Sequence, residues 1–440
     1  MPVRLSLLRP IVIATFVALN ITLSVAAQVL IVSRLGVGPT TDAVFAGFAV
    51  PQYLVTVVLA SSGYVLVPML SIQDHNGVRR TATAALLIGV TIFGGLSLLL
   101  ALTAPLWIRA TLPGFDAERL DLAVGLVRLQ SLSLVTSALT AVLTAGCQAL
   151  DRFVWSEGSA MLACAGQFAF CWFALNDYGP AAAALGPAVK GSLQALLLLG
   201  GLGGLARPAP LRSLAQAVWS KLRPLAMGAA IYKTDPIVDR MVISLAPVGS
   251  VSIFHIAQQV HAAMLNVVSG AISSPLLPAL ARLANAGHWQ QFRMLARRRS
   301  LAVGLVALAG LSVFAVIGVP LVRYGAALAA ISPGNASSLA STVLRMGGVL
   351  VFGAVGQTLS STFYALGDTR TPARVGAVGF CVGVGCKSAL FFAYGVSGFA
   401  LGMSAYYAFN ALSLAWFLRR DLRQRCAAFA SSLRPGTLLP

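Results

Sequence analysis

Acidic residues are scarce in this chain: 12 Asp and Glu stand against 31 Lys and Arg, and all charged residues together fill 10% of its 440 positions. Soluble domains typically carry about a quarter of their residues charged. With 58% apolar composition and a mean hydropathy of +0.85, too little polar surface remains to cover a water-soluble fold. The composition excludes that class and points to a polytopic membrane protein. Cysteine is thin as well. Cys147, Cys164, Cys171, Cys381 and Cys386 fall in apolar stretches and Cys426 in a basic tail, without the spacing of a disulfide framework or metal site, so they read as small apolar fillers. Neither HExxH nor a Walker A sequence occurs. Gly383-Val384-Gly385-Cys386-Lys387-Ser388 comes nearest to a phosphate loop, but Cys386 stands where a glycine is needed. Enzymatic chemistry, a cofactor and ATP hydrolysis are not expected here.

Long apolar runs are what the chain has in quantity. Stretches able to span a bilayer fall near 10–33, 43–70, 82–108, 121–148, 156–175, 180–204, 224–246, 250–280, 300–322, 339–365, 373–393 and 396–418. They predict an all-α fold of about 12 transmembrane helices. An even number returns both termini to one side, and placing that side in the cytoplasm puts 21 of the 31 basic residues there and four, Arg34, Arg109, Arg119 and Arg323, opposite. This asymmetry sets the orientation by the positive-inside rule. The net charge of +19 is thus accounted for by topology and contact with anionic membrane lipids, with no nucleic-acid partner expected. The first run follows Arg4 and Arg9 and ends in Val25-Ala26-Ala27, like a signal peptide, but it exceeds the roughly 7–15 apolar residues of a signal core and reads as a retained helix.

An internal duplication organises these helices. Arg128 precedes Asp151 by the same interval that separates Arg345 from Asp368, and the stretch from Gly36 parallels the one from Val248, with Pro68 opposite Pro278. Two lobes are expected, 1–205 and 224–420, joined by a basic linker at 206–223 and followed by a basic tail at 421–440. Six helices per repeat preserve orientation, so a pseudo-two-fold axis along the membrane normal relates them. Substrate sites in such transporters lie between repeats, where ionisable side chains are tolerated at membrane depth. Arg128, Lys190, Lys233, Arg240, Arg345 and Lys387 are the basic candidates, and their excess suggests an anionic cargo group such as a phosphate.

Each candidate also has a structural reading. Arg128 and Arg345 sit about two turns from a helix end and either snorkel, brace packing or serve a cavity. Asp235 and Asp239 share one helix face at i, i+4, while Lys233 and Arg240 share another across Pro236, which fits an internal salt-bridge knot as well as a cargo or proton site. Asp42, Asp235 and Asp239 are the coupling or gating candidates, Asp42 also being placed to cap the helix after Pro39-Thr40-Thr41. Lys190 and Lys387 are isolated. His255 and His261 fit packing or hydrogen bonding better than titration. Gly376, Gly379 and Gly383 suggest close helix approach, and 281–299 an amphipathic interfacial helix.

Thr41-Asp42-Ala43, Val67-Pro68, Leu112-Pro113-Gly114-Phe115, Leu126-Val127-Arg128-Leu129, Gly249-Ser250-Val251-Ser252 and Gly367-Asp368-Thr369-Arg370-Thr371-Pro372 together resemble the MviN/MurJ-type lipid II flippases of the multidrug/oligosaccharidyl-lipid/polysaccharide exporter superfamily. The resemblance runs through nearly the whole chain. It implies two six-helix lobes about a central cavity that opens alternately to turn over a polyprenyl-diphosphate-linked glycan in the bacterial cytoplasmic membrane, with a glycan polymerase or glycosyltransferases as further partners. The chain departs from that pattern where cargo is held. The family's cavity arginines on helices one, two and eight correspond to Ile21, Ala27, Val55 and Gln259, of which only Gln259 remains a polar candidate. Twelve helices, without the two further ones usual in lipid II flippases, and Asp239-Arg240 resemble polysaccharide-unit flippases instead. A lipid-linked glycan flippase is therefore expected, with lipid II less favoured than a polysaccharide repeat unit. The alternatives are a proton- or sodium-coupled multidrug antiporter of the same superfamily and a non-transporting scaffold of an envelope-polysaccharide complex.

Overall fold

The computed structural model describes residues 2–230, 232–272, 276–328 and 332–432. Among these there is no strand. Packing divides the chain into two units, Met1–Ile256 with Leu328–Ile331, and Ala257–Ala327 with Ser332–Pro440.

In the first unit, α1 (Pro2–Leu35) is followed by α2 (Pro39–Gly47) and α3 (Ala49–Leu54), which continue through a π-helical turn at Val55–Leu59 into α4 (Ala60–Ser71). Then come α5 (His75–Thr111), α6 (Ala117–Gln130), α7 (Leu132–Ala149), α8 (Phe153–Tyr178), α9 (Pro180–Leu202), α10 (Leu211–Ala230) and α11 (Asp235–Ile243). The boundaries follow local chemistry. The Asp74 carboxylate accepts from Gly77 N at 3.0 Å to start α5, and Asp116 accepts from Arg119 N at 2.9 Å to start α6. That amide bond, with the Arg119 guanidinium beside it, holds the Asp116 carboxyl below the usual range. Proline opens α2 and α9, where its missing N–H costs nothing. Leu70, Val78, Leu86, Leu143, Leu198 and Leu202 form a buried cluster where α4, α5, α7 and α9 meet.

The second unit takes most of α12 (Ser250–Ile272), then α13 (Leu276–Asn285), α14 (Trp289–Val313) with a π-helical turn at Phe314–Gly318 into α15 (Val319–Leu328), α16 (Pro333–Arg345), α17 (Gly347–Ala365) and α18 (Arg370–Ser432). The predicted interfacial helix at 281–299 is not one element. Gly287, at φ +70°, ends α13, and residues from Trp289 onward extend a membrane helix, packing Phe292 and Ala296 against Leu359, Phe363 and Leu418. The apolar stripe read as membrane-facing is spent inside the protein.

Ten helices among the described residues are long and apolar enough to cross a membrane, so the chain is a multi-pass, all-helical membrane protein. The expected spans at 373–393 and 396–418 are two helices that run together in α18 and turn at Gly395, where φ of +62° lies outside the helical region. The expected span at 224–246 is assembled from the end of α10, a 3-10 turn at Tyr232–Thr234 and α11. Pro236 sits in the first turn of α11, so it begins a helix and separates Lys233 from Arg240.

The α18 hairpin is closed through glycine. A Cβ on Gly398 would lie 1.9 Å from the Leu390 carbonyl oxygen, one on Gly402 2.8 Å from Lys387 Cα, and one on Gly383 2.4 Å from the Tyr406 ring. Gly379 likewise abuts Asn410, but Gly376 faces open space, so two of the three glycines expected at a close approach are there.

Candidate functional site

The two stretches with the repeated Arg-to-Asp spacing fold alike in their helices but differ at their arginines and aspartates. Both copies are 33-residue spans, Ala117–Ala149 and Pro333–Ala365, broken once, at Ser131 and at Met346. A serine from a neighbouring helix fills each break: Ser97 Oγ donates to Ser131 O at 2.7 Å, and Ser404 Oγ donates to Arg345 O at 2.7 Å while accepting from Gly348 N. Measured from the breaks, Arg128 is three residues before Ser131 and Arg345 one before Met346, so the equal sequence spacing does not put the two in equivalent places. Both are exposed and about three turns, not two, from the start of their spans. Arg128 Nε reaches Ala101 O at 3.4 Å, and Arg345 Nη1 donates to Ser397 Oγ. Past the membrane end, Asp368 accepts from Arg370 N, Thr371 N and Thr371 Oγ1 at 2.6–3.0 Å. Burial would raise its carboxyl, but these bonds and the nearby Arg374 outweigh that and hold it low.

Asp42 is a cap, though not of its own helix. Thr41 serves there, its Oγ1 accepting from Gly38 N at 3.1 Å. Buried to 1% exposure, the Asp42 carboxylate accepts from Gly249 N at 2.6 Å, Ser252 N at 2.8 Å and Ser252 Oγ at 2.6 Å, closing the N-terminus of α12. The carboxylate thus meets orphan amides at the positive end of a helix dipole. Gly249 holds φ at +89°, a backbone that favours glycine, which explains the Gly249-Ser250-Val251-Ser252 motif. A second contact beside it accounts for another motif. Gly114 N donates to Ser244 Oγ at 3.3 Å, and a Cβ on Gly114 would lie 2.1 Å from Ser244 O.

One turn further along α12, His255 joins a buried cluster. Its ring stacks on Phe45 with centroids 4.3 Å apart, and Nδ1 lies 2.7 Å from Arg240 Nη2; a guanidinium has only donors, so Nδ1 accepts. Arg240 also lies 5.6 Å from the centre of the Phe254 ring, and its buried Nη1 has no hydrogen-bond partner. Sequence spacing singled out Arg240 but not this set, because Phe45, Arg240 and His255 come from α2, α11 and α12. His261, also buried, bonds Val343 O at 2.9 Å. Both histidines are hydrogen-bonded in packed surroundings.

The remaining candidates are dispersed. Lys387, 1% exposed, lies under Tyr406 at 5.2 Å and Phe399 at 5.9 Å, an arrangement that screens the ammonium with aromatic faces. Lys190, half-buried on α9, lies beside Cys164. Lys233, in the 3-10 turn, is outside α11 and does not share a helical face with Arg240. Lys233, Asp235 and Asp239 each have an interacting neighbour, and Asp239 is buried. Gln259 is half-buried, as are Ile21 and Val55, while Ala27 is buried. The described residues contain no cluster of His, Cys, Asp or Glu able to hold a metal ion. What the arrangement holds chemically is a set of buried polar contacts: a carboxylate on helix amides, a guanidinium on an imidazole and an ammonium beside aromatic rings.

Comparison with known proteins gives the family. The model for the family described as lipid II flippase MurJ matches residues 31–433. A curated relative, a probable lipid II flippase MurJ from Rhizobium tropici, is 22% identical over 409 residues, covering 88% of this chain and 76% of its own length. A solved lipid II flippase MurJ in an inward closed conformation superposes with a TM-score of 0.81 at 17% identity, over 94% of this chain and 90% of its own. An inward-facing multidrug resistance transporter of the MATE family and MOP superfamily gives 0.77 at 13% identity, over 94% and 96%. At such identities the structural likeness speaks for the fold alone. The family match spans nearly the whole sequence, and the chain belongs to the lipid II flippase MurJ family.

Proposed function

We propose that this protein turns over a polyprenyl-diphosphate-linked glycan across the bacterial cytoplasmic membrane by alternating access, with both termini and the linker at 206–223 in the cytoplasm. The family match over residues 31–433 carries the reading. Orientation rests on the asymmetry of basic residues, 21 against four. In a cysteine-free background, single cysteines at 210 and 290 are expected to react only from the cytoplasmic side and one at 116 only from outside. Outside labelling at 290 would reverse the topology.

Purified protein in liposomes is expected to move a fluorescent polyprenyl-diphosphate sugar between leaflets. Uptake of an organic cation under a proton or sodium gradient, with the lipid left in place, would establish the antiporter instead, and transport of neither would leave the scaffold.

A glycan other than the peptidoglycan precursor is the finer reading. Ile21, Ala27, Val55 and Gln259 are uncharged where the family's cavity arginines stand, and a diphosphate leaving the headgroup region needs compensating cations. Arg240 is tied to His255 and Lys387 is enclosed by rings, so neither is free to take over that task unaltered. Expression in a strain depleted of its lipid II flippase is therefore expected not to restore growth, with membrane insertion confirmed by immunoblot. Full rescue would assign lipid II as the cargo.

A further inference from the structure

A cavity of about 470 Å³ opens among the start of α1, the α7–α8 turn and the end of α9, away from every candidate discussed above. Arg9, Asp151, Arg152, Phe153, Trp155 and Gly201 are among its walls. Three of these side chains have polar neighbours. Arg9 Nη1 lies 3.5 Å from Asp151 Oδ2, Arg152 Nη1 donates to Gly201 O, and Trp155 Nε1 donates to Leu197 O at 2.8 Å. Gly201 lets the indole lie directly on α9, since a Cβ there would fall 2.2 Å from Trp155 Cδ1. Arg152 is the N-cap of α8 and no side chain caps that helix, so its first turn contributes a positive dipole end to the same cavity.

Two arginines against one carboxylate leave a net positive site, and the ion pair at its mouth is open to solvent, with side-chain exposures of 69% and 76%. Trp155 beside it is the kind of amphipathic ring that settles at headgroup level. We propose that this cavity holds the phosphate of an anionic phospholipid from the leaflet bordering the start of α1. A phosphodiester there would draw Arg9 from Asp151, lie within reach of Arg152 and the α8 first turn, and leave its acyl chains along the helix surfaces outside.

The test is native mass spectrometry of the full chain released from mixed micelles of phosphatidylglycerol and phosphatidylethanolamine. The wild type is expected to retain phosphatidylglycerol selectively. At about 1 kcal/mol for each basic residue near an anionic lipid surface, Arg9→Gln should lower that retention about five-fold without altering phosphatidylethanolamine. Asp151→Asn should raise it, and asparagine tolerates the φ of +59° at this position. Arg34→Gln, at the far end of α1, should change nothing and serves as the control for folding. Equal retention by wild type, Arg9→Gln and Asp151→Asn overturns the proposal. So does loss of phosphatidylglycerol retention on adding inorganic phosphate at the same concentration as the lipid, which would assign the cavity to a soluble anion.

Discussion

Replacing Asp42 with alanine is expected to lower stability by about 3–5 kcal/mol and to reduce transport with it, because three donors buried at the head of α12 would lose a charged acceptor. Asparagine keeps one acceptor oxygen but turns an amide toward donors, so Asp42→Asn should fall between alanine and wild type. The order alanine, asparagine, wild type is the diagnostic feature, read as thermal unfolding in detergent and as flux in liposomes. A merely polar, replaceable position would show asparagine equal to wild type. If Asp42→Ala melts and transports normally, the cap has no part in either property. Thr41→Val provides the contrast on the same helix. It removes only the local contacts at Gly36 and Gly38, for which about 1 kcal/mol is expected.

The second large effect is expected in the α18 hairpin. Gly398→Ala places a methyl carbon 1.9 Å from a backbone oxygen of the opposite arm, and backbone cannot swing aside as a side-chain end can. Overpacking of this kind typically costs about 1–3 kcal/mol, and here the two arms must separate along their length. Lys387 would move with them, since its Cα and Cγ lie against Gly402. Gly385→Ala and Gly376→Ala, on the same helix but facing open space, should be neutral or slightly stabilising through helix propensity. Purified yield and melting temperature of the three variants decide the matter. Equal behaviour would show that the arms are not held by close approach.

Much of this architecture was legible in the sequence, and the reasons are specific. Membrane helices announce themselves because a bilayer leaves no solvent for an unpaired backbone, so length and hydropathy suffice. The stretches marked by Arg128 with Asp151 and Arg345 with Asp368 are two spans of equal length, each broken once, although the arginines fall at different places relative to the breaks. The glycines were harder to read. Gly379 and Gly383 close the hairpin while Gly376 does not, and nothing in the spacing separates them, because a neighbour's position is not encoded at the residue that meets it.

Site residues divide along the same line. Sequence singled out Asp42 and Arg240 as ionisable groups too costly to bury alone. It did not supply Ser252 and Gly249 as the partners of one, or His255, Phe45 and Phe254 as the surroundings of the other, since those pairings span up to 210 residues of chain. Composition and hydropathy alone establish a helical, net-basic membrane protein whose few charges at depth need partners. Which partners they find is set by tertiary packing, because burial fixes the need for a hydrogen bond while the neighbouring helix fixes who provides it.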